Sequence, residues 1–127
     1  MGKLGIFDEE KTKWIQFDED TEVLLKFVSK EELKKISIKA ERASRLSGVD
    51  PSDVANIQLG RTAVLGWRKI DNHNHPGLIV KGQPFPYTKE NVDLLMTKSL
   101  EFSKFVNENA INSRIFLEEE EEEEKNA

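Results

Sequence analysis

The sequence predicts an α+β fold in which an N-terminal β-hairpin packs on about three α-helices, and three observations carry that reading. Trp14, Ile15 and Phe17, then Val23, Leu24, Leu25, Phe27 and Val28, form two runs of aromatic and branched residues around a polar turn, the pattern of a hairpin. Ser29-Lys30-Glu31-Glu32 is a capping box, in which the serine oxygen accepts an amide proton three residues on and marks a helix start. From Thr88 onward, Val92, Leu95, Met96, Ser99, Phe102, Ser103, Val106 and Ala110 share one helical face as far as about Asn112.

With 127 residues the chain suits a single domain, expected over residues 12–117. Residues 1–11 are expected as a flexible leader and residues 118–127 as a disordered acidic tail. Residues 118–127 hold seven Glu and one Lys and so carry minus six of the net charge of minus five, which leaves residues 1–117 at plus one. A near-neutral body with an acidic end does not read as a nucleic-acid binder, whose usual footprint is a clustered basic face. Without cysteine the chain has no disulfide, thiolate metal site or cysteine nucleophile. No apolar run nears the roughly 18 residues of a membrane span, and a soluble cytoplasmic protein without membrane contact is expected.

Taken in order, the hairpin turn Asp18-Glu19-Asp20-Thr21-Glu22 lacks the central glycine and distal glutamate of a calcium loop and reads as a solvated turn. The helix opened by Ser29 runs to about Ser44, with Leu33, Ile36, Ala40 and Ala43 as a narrow apolar stripe, and Gly48 and Pro51 end it. A second helix, capped by Ser52 or Asp53, is expected to run through Val54, Ile57, Leu59, Ala63, Val64 and Leu65 to Trp67, with Arg61 lying along the core edge. Leu65, Trp67, Val92 and Phe102 are expected in one core.

His73 and His75 in the following loop read as solvent-exposed histidines, since no further ligands accompany them. Leu78-Ile79-Val80 reads as a short strand and Lys81-Gly82-Gln83 as a turn. The alternating prolines of Gln83-Pro84-Phe85-Pro86-Tyr87 make a rigid extended segment whose Phe85 and Tyr87 pack on Trp67. Leu94, Leu100 and Phe105 fall off the main stripe of the last helix and read either as core packing or as a partner-binding surface; Phe116, in the apolar triplet before the glutamates, reads as a short docking motif or the end of the helix, and these four are the partner-binding candidates.

No Walker loop, dinucleotide fingerprint, HExxH or nucleophile elbow occurs, and the carboxylates lie in charged turns, helix surfaces and the tail. A non-enzymatic protein without cofactor or metal is expected. Leu65-Gly66-Trp67-Arg68-Lys69-Ile70, the Gly-containing loop, and Pro86-Tyr87-Thr88-Lys89-Glu90-Asn91-Val92-Asp93-Leu94-Leu95 with Phe102 and Val106 resemble a tail assembly chaperone, or related small tail protein, of a long-tailed bacteriophage or prophage. The resemblance spans residues 12–107, best over 60–107. It implies a protein that binds the tape-measure protein and the major tail protein during tail assembly and then leaves, with self-association of the chain kept open. Two alternatives stand beside it: a structural tail or head-tail component, and a small host adaptor that binds a peptide in a groove beside Trp67.

Overall fold

The computed structural model describes residues 11–117; the expected acidic tail and all of the expected leader except Lys11 lie outside the described residues. Strands β1 (Thr12–Gln16) and β2 (Thr21–Lys26) form the expected hairpin. Its turn is fixed by Asp18, whose Oδ1 accepts the amide protons of Asp20 at 2.9 Å and Thr21 at 2.8 Å. Helix α1 (Lys30–Ser47) starts where the capping box places it, with Ser29 Oγ accepting the Glu32 amide at 3.1 Å. Glu32 does not close the box; its carboxylate takes Lys26 Nζ at 2.9 Å instead. Gly48 ends the helix at φ 76°, in the left-handed region that favours glycine.

Helix α2 (Pro51–Ala63) is capped by Asp50, one position before the proline, and neither Ser52 nor Asp53 is the cap. Proline at the first helical position needs no amide partner, and the start lies two or three residues earlier than the expected cap at Ser52 or Asp53 places it. The helix then stops at Ala63, and Val64–Lys69 is strand β3, which corrects the expected continuation to Trp67. Val64 is both the C-cap of α2, donating to Gly60 O, and the first residue of β3, so no loop separates them. An apolar run of this length is legible as either helix or strand, and pairing with β2 decides it.

The sheet order is β1-β2-β3, all antiparallel. Leu24 pairs with Gly66 but Leu25 pairs with Val64, so a bulge leaves Leu65 without an opposite residue. Leu65 is accordingly 38% exposed and is not in the core, whereas Trp67, Val92 and Phe102 are buried as expected. On the outer face the cross-strand pair Glu22 and Arg68 forms a 2.6 Å salt bridge, and the Arg68 guanidinium lies 3.7 Å from the Trp14 ring centroid.

After β3 the short strands β4 (Ile79–Val80) and β5 (Gln83–Pro84) form a second hairpin around Lys81 and Gly82, both at positive φ. The long last helix of the sequence reading is two helices, α3 (Lys89–Lys98) and α4 (Leu100–Asn109). Ser99, in extended conformation, ends one and starts the other: its amide donates to Leu95 O and its hydroxyl accepts the Phe102 amide. Helix α2 packs against α1, α3 and α4 and against the sheet, and so lies at the centre of the molecule. Val23, Leu25, Val64 and Trp67 of the sheet meet Leu59 and Ala63 of α2, Val92 and Met96 of α3, and Phe102 and Val106 of α4 in one buried cluster.

Candidate functional site

An apolar cleft lies where the first hairpin turn, the segment around β4 and the junction of α3 and α4 meet. Each wall has a sequence cause. The Asp18 turn presents Phe17 to α4, where its ring meets Phe102 at 5.6 Å and Phe105 edge-on at 5.1 Å. The loop after β3 folds back because Lys69 donates to His75 O at 2.7 Å and Ile70 to Asp20 O at 2.8 Å. Gly77, at φ 82°, then crosses over Thr21 so closely that a Cβ there would stand 2.6 Å from Thr21 Oγ1. This crossing carries Leu78, Ile79 and Val80 to the cleft, opposite Leu95 and Phe102.

The cleft encloses about 490 Å³, and Asp18, Asp20 and Glu101 line it among the apolar residues. A neighbouring recess of about 250 Å³ shares Phe17 and Glu101 with it and is lined further by Phe105 and Lys104. Leu100, between the lining residues Ser99 and Glu101, is 78% exposed, and Ile79 is 53% exposed. Such a surface takes an apolar anchor and, through its carboxylates, prefers a basic flank on the occupant.

Of the expected partner-binding residues, Leu94 (45%) and Leu100 are exposed, and Phe105 is half-buried with Phe17 against it while lining the smaller recess. Phe116, on the helical turn of residues 113–117, is buried and its ring meets Phe27 at 5.5 Å, so it belongs to the core. Ile79, Phe17 and Leu95 line the cleft without having been expected there. Ile79 carried a signal, as the outward member of a short strand; Phe17 read as part of the hairpin and Leu95 as part of the last helix's apolar stripe.

The space beside Trp67 is filled from within. Phe85 stacks on the indole at 6.1 Å, while Tyr87 and Phe102 meet it edge-on at 5.2 Å and 5.8 Å. Tyr87 donates its hydroxyl proton to Val64 O at 2.9 Å, and burial pushes its phenol pKa up. With these rings around it Trp67 is 5% exposed. Arg61 does more than lie along the core edge: it grips Asp93 through Nε at 2.9 Å and Nη2 at 2.6 Å, a fork that holds the guanidinium still more firmly protonated.

His73 is exposed, with Nε2 at 3.8 Å from Glu22 Oε1, and His75 is half-buried with Nδ1 accepting the Gly77 amide at 2.9 Å. Among the described residues no group of three or more His, Cys, Asp or Glu is placed to hold a metal ion. No described helix is long and apolar enough to cross a membrane. No protein-family model, curated protein or solved structure matches the chain.

Proposed function

We propose that this chain is a non-enzymatic tail assembly chaperone of a long-tailed bacteriophage or prophage, acting in the host cytoplasm. In this reading it binds the tape-measure protein and brings major tail protein subunits to it. The observation that carries the proposal is the apolar cleft at the junction of α3 and α4, with three carboxylates along it and with Leu100, 78% exposed, in the chain between its lining residues Ser99 and Glu101. The resemblance of residues 60–107 to small tail proteins supplies the client.

A helical client can set a few apolar side chains into such a cleft, each worth roughly 1.5–3 kcal/mol when fully buried. Ordering a partly unfolded client offsets much of that gain. Affinity stays moderate, which suits a protein that must release its client as the tail is completed. The carboxylates favour basic segments, and binding weakens as salt rises.

The test is co-expression with the tape-measure protein encoded beside it, together with protein analysis of purified particles. The proposal expects the client to be soluble only in the presence of the chain, and the chain to be absent from finished particles. A stoichiometric amount in the particle would make it a structural tail component instead.

A further inference from the structure

The average charge of the body conceals a strongly basic face on α1, a helix with no residue in the cleft's lining. Among its 18 residues the helix carries Lys30, Lys34, Lys35, Lys39, Arg42 and Arg45 against Glu31, Glu32 and Glu41. At 3.6 residues per turn, Lys34, Lys35, Lys39, Arg42 and Arg45 share one arc of about 140° with Ile38 and Leu46, and Glu31 is the single acid within it. All seven of these basic and apolar side chains belong to exposed residues. None of the five bases forms an ion pair among the described residues, where the pairs are made by Lys26, Arg61, Arg68, Lys69 and His73.

Two features distinguish this arc from a merely solvated helix. Ile38 is 48% and Leu46 86% exposed, and Val49 just beyond the helix is 48% exposed, so large apolar groups sit among unpaired cations. Beside them a recess of about 150 Å³ opens between α1 and α2, lined by Ile36 with Lys35 and Lys39 and also by Glu32, which leaves two cations to one carboxylate.

We infer that the outer face of α1 is a docking surface for an acidic protein segment, an amphipathic helix whose Leu or Ile anchors meet Ile38 and Leu46 while its carboxylates meet Lys35, Lys39 and Arg42. Charge complementarity selects the acid, and the interleaved apolar pair selects protein over other polyanions. Nucleic acid is held chiefly through phosphate contacts, for which two exposed branched side chains serve no purpose. A bilayer needs a broader apolar face than two side chains among five cations. The surface is independent of the client cleft, so the chain can hold a basic and an acidic partner on different elements.

The test uses the full chain and a fluorescein-labelled helical peptide of Glu with Leu at three- and four-residue spacing, read by anisotropy. Labelled mixed-sequence single-stranded DNA and phosphatidylglycerol vesicles are titrated in parallel. The peptide is expected to bind most tightly, and to lose about tenfold or more in affinity with the triple variant Lys35→Glu, Lys39→Glu, Arg42→Glu. The double variant Ile38→Ser, Leu46→Ser is expected to lose about tenfold for the peptide and nothing for DNA. Thermal melts confirm that these exposed substitutions leave the fold intact. Tighter binding of DNA or vesicles, or wild-type peptide affinity retained in either variant, overturns the inference. So does peptide binding seen only when residues 118–124 of the full chain are changed to Gln, which would make the chain's own glutamates the occupant.

Discussion

The indole Nε1 of Trp67 donates a 2.7 Å hydrogen bond to the carbonyl oxygen of Phe85, and the two rings stack with an interplanar angle of 8°. This joins the last strand of the main sheet to the proline-fixed segment that leads into α3. Trp67→Ala removes the stack, the hydrogen bond and the contacts to Tyr87 and Phe102, and is expected to cost about 3–5 kcal/mol. Trp67→Phe keeps an aromatic ring but leaves the Phe85 carbonyl unpaired, and is expected to cost about 1–3 kcal/mol. Urea midpoints of the two variants check both values, with the Ala variant the weaker.

Gly60 marks the closest approach of α2 and α3. A Cβ built there would lie 2.5 Å from Met96 Cγ and 3.2 Å from Val92 Cγ1, and both neighbours are buried. Gly60→Ala gains about 1 kcal/mol of helix propensity but overpacks this contact by roughly 1–3 kcal/mol. The net effect is expected to be destabilising by up to about 2 kcal/mol, and the penalty should fall in a Met96→Ala background. Denaturation of the four chains of that double-mutant cycle measures it.

Asn56 links three elements at the break between α3 and α4. Its amide donates to Met96 O at 2.6 Å, while its oxygen accepts from Ser103 Oγ and Asn107 Nδ2, each at 3.0 Å. Asn56→Ala leaves part-buried polar groups without partners and is expected to cost about 1–3 kcal/mol. Because the substitution frees the α3–α4 corner, amide exchange should rise most at residues 96–103.

Asp50 at the start of α2 gives a pH dependence. Its Oδ1 accepts from Ser52 Oγ at 2.6 Å and from the Ser52 amide at 2.8 Å, and these bonds hold its carboxyl below the usual carboxylate range. A depressed folded-state pKa contributes stability above the ordinary carboxylate range and loses it as pH falls through the depressed value. Wild type is therefore expected to melt above Asp50→Asn at neutral pH, with the gap closing in acid below the ordinary range. Melting curves of both proteins across that range check the sign.

The hairpin, the Ser29 cap, the Gly48 stop and the packing of Phe85 and Tyr87 on Trp67 were legible because each rests on local chemistry. The Ala63 to Lys69 stretch was not, since a continuous apolar run fits helix and strand alike and only pairing with β2 decides. Leu65 left the core through a bulge, which belongs to a strand pair and not to one strand. Ser99 read as a member of the apolar stripe because a serine on a helical face and a serine that caps a helix are the same letter; its backbone makes the difference. The cleft was the least legible feature, assembled from residues near 17, 78 and 100 that only the fold brings together. Leu94 and Leu100 stood out as surplus apolar residues on an already filled helix face and are exposed, whereas Phe116 was read from its apolar triplet beside the glutamates and is buried.

Affinity of the co-produced tape-measure protein for the cleft tests the central claim most directly. Wild type and the exposed-site variants Ile79→Ser and Leu100→Ser are each co-expressed with that protein, and the retained complex is quantified after confirming unchanged melting of the chain. Each substitution removes an apolar anchor and is expected to weaken binding about tenfold, with the double variant leaving the client insoluble. Full retention of a soluble client by the folded double variant would show that the α3–α4 cleft is not the binding face.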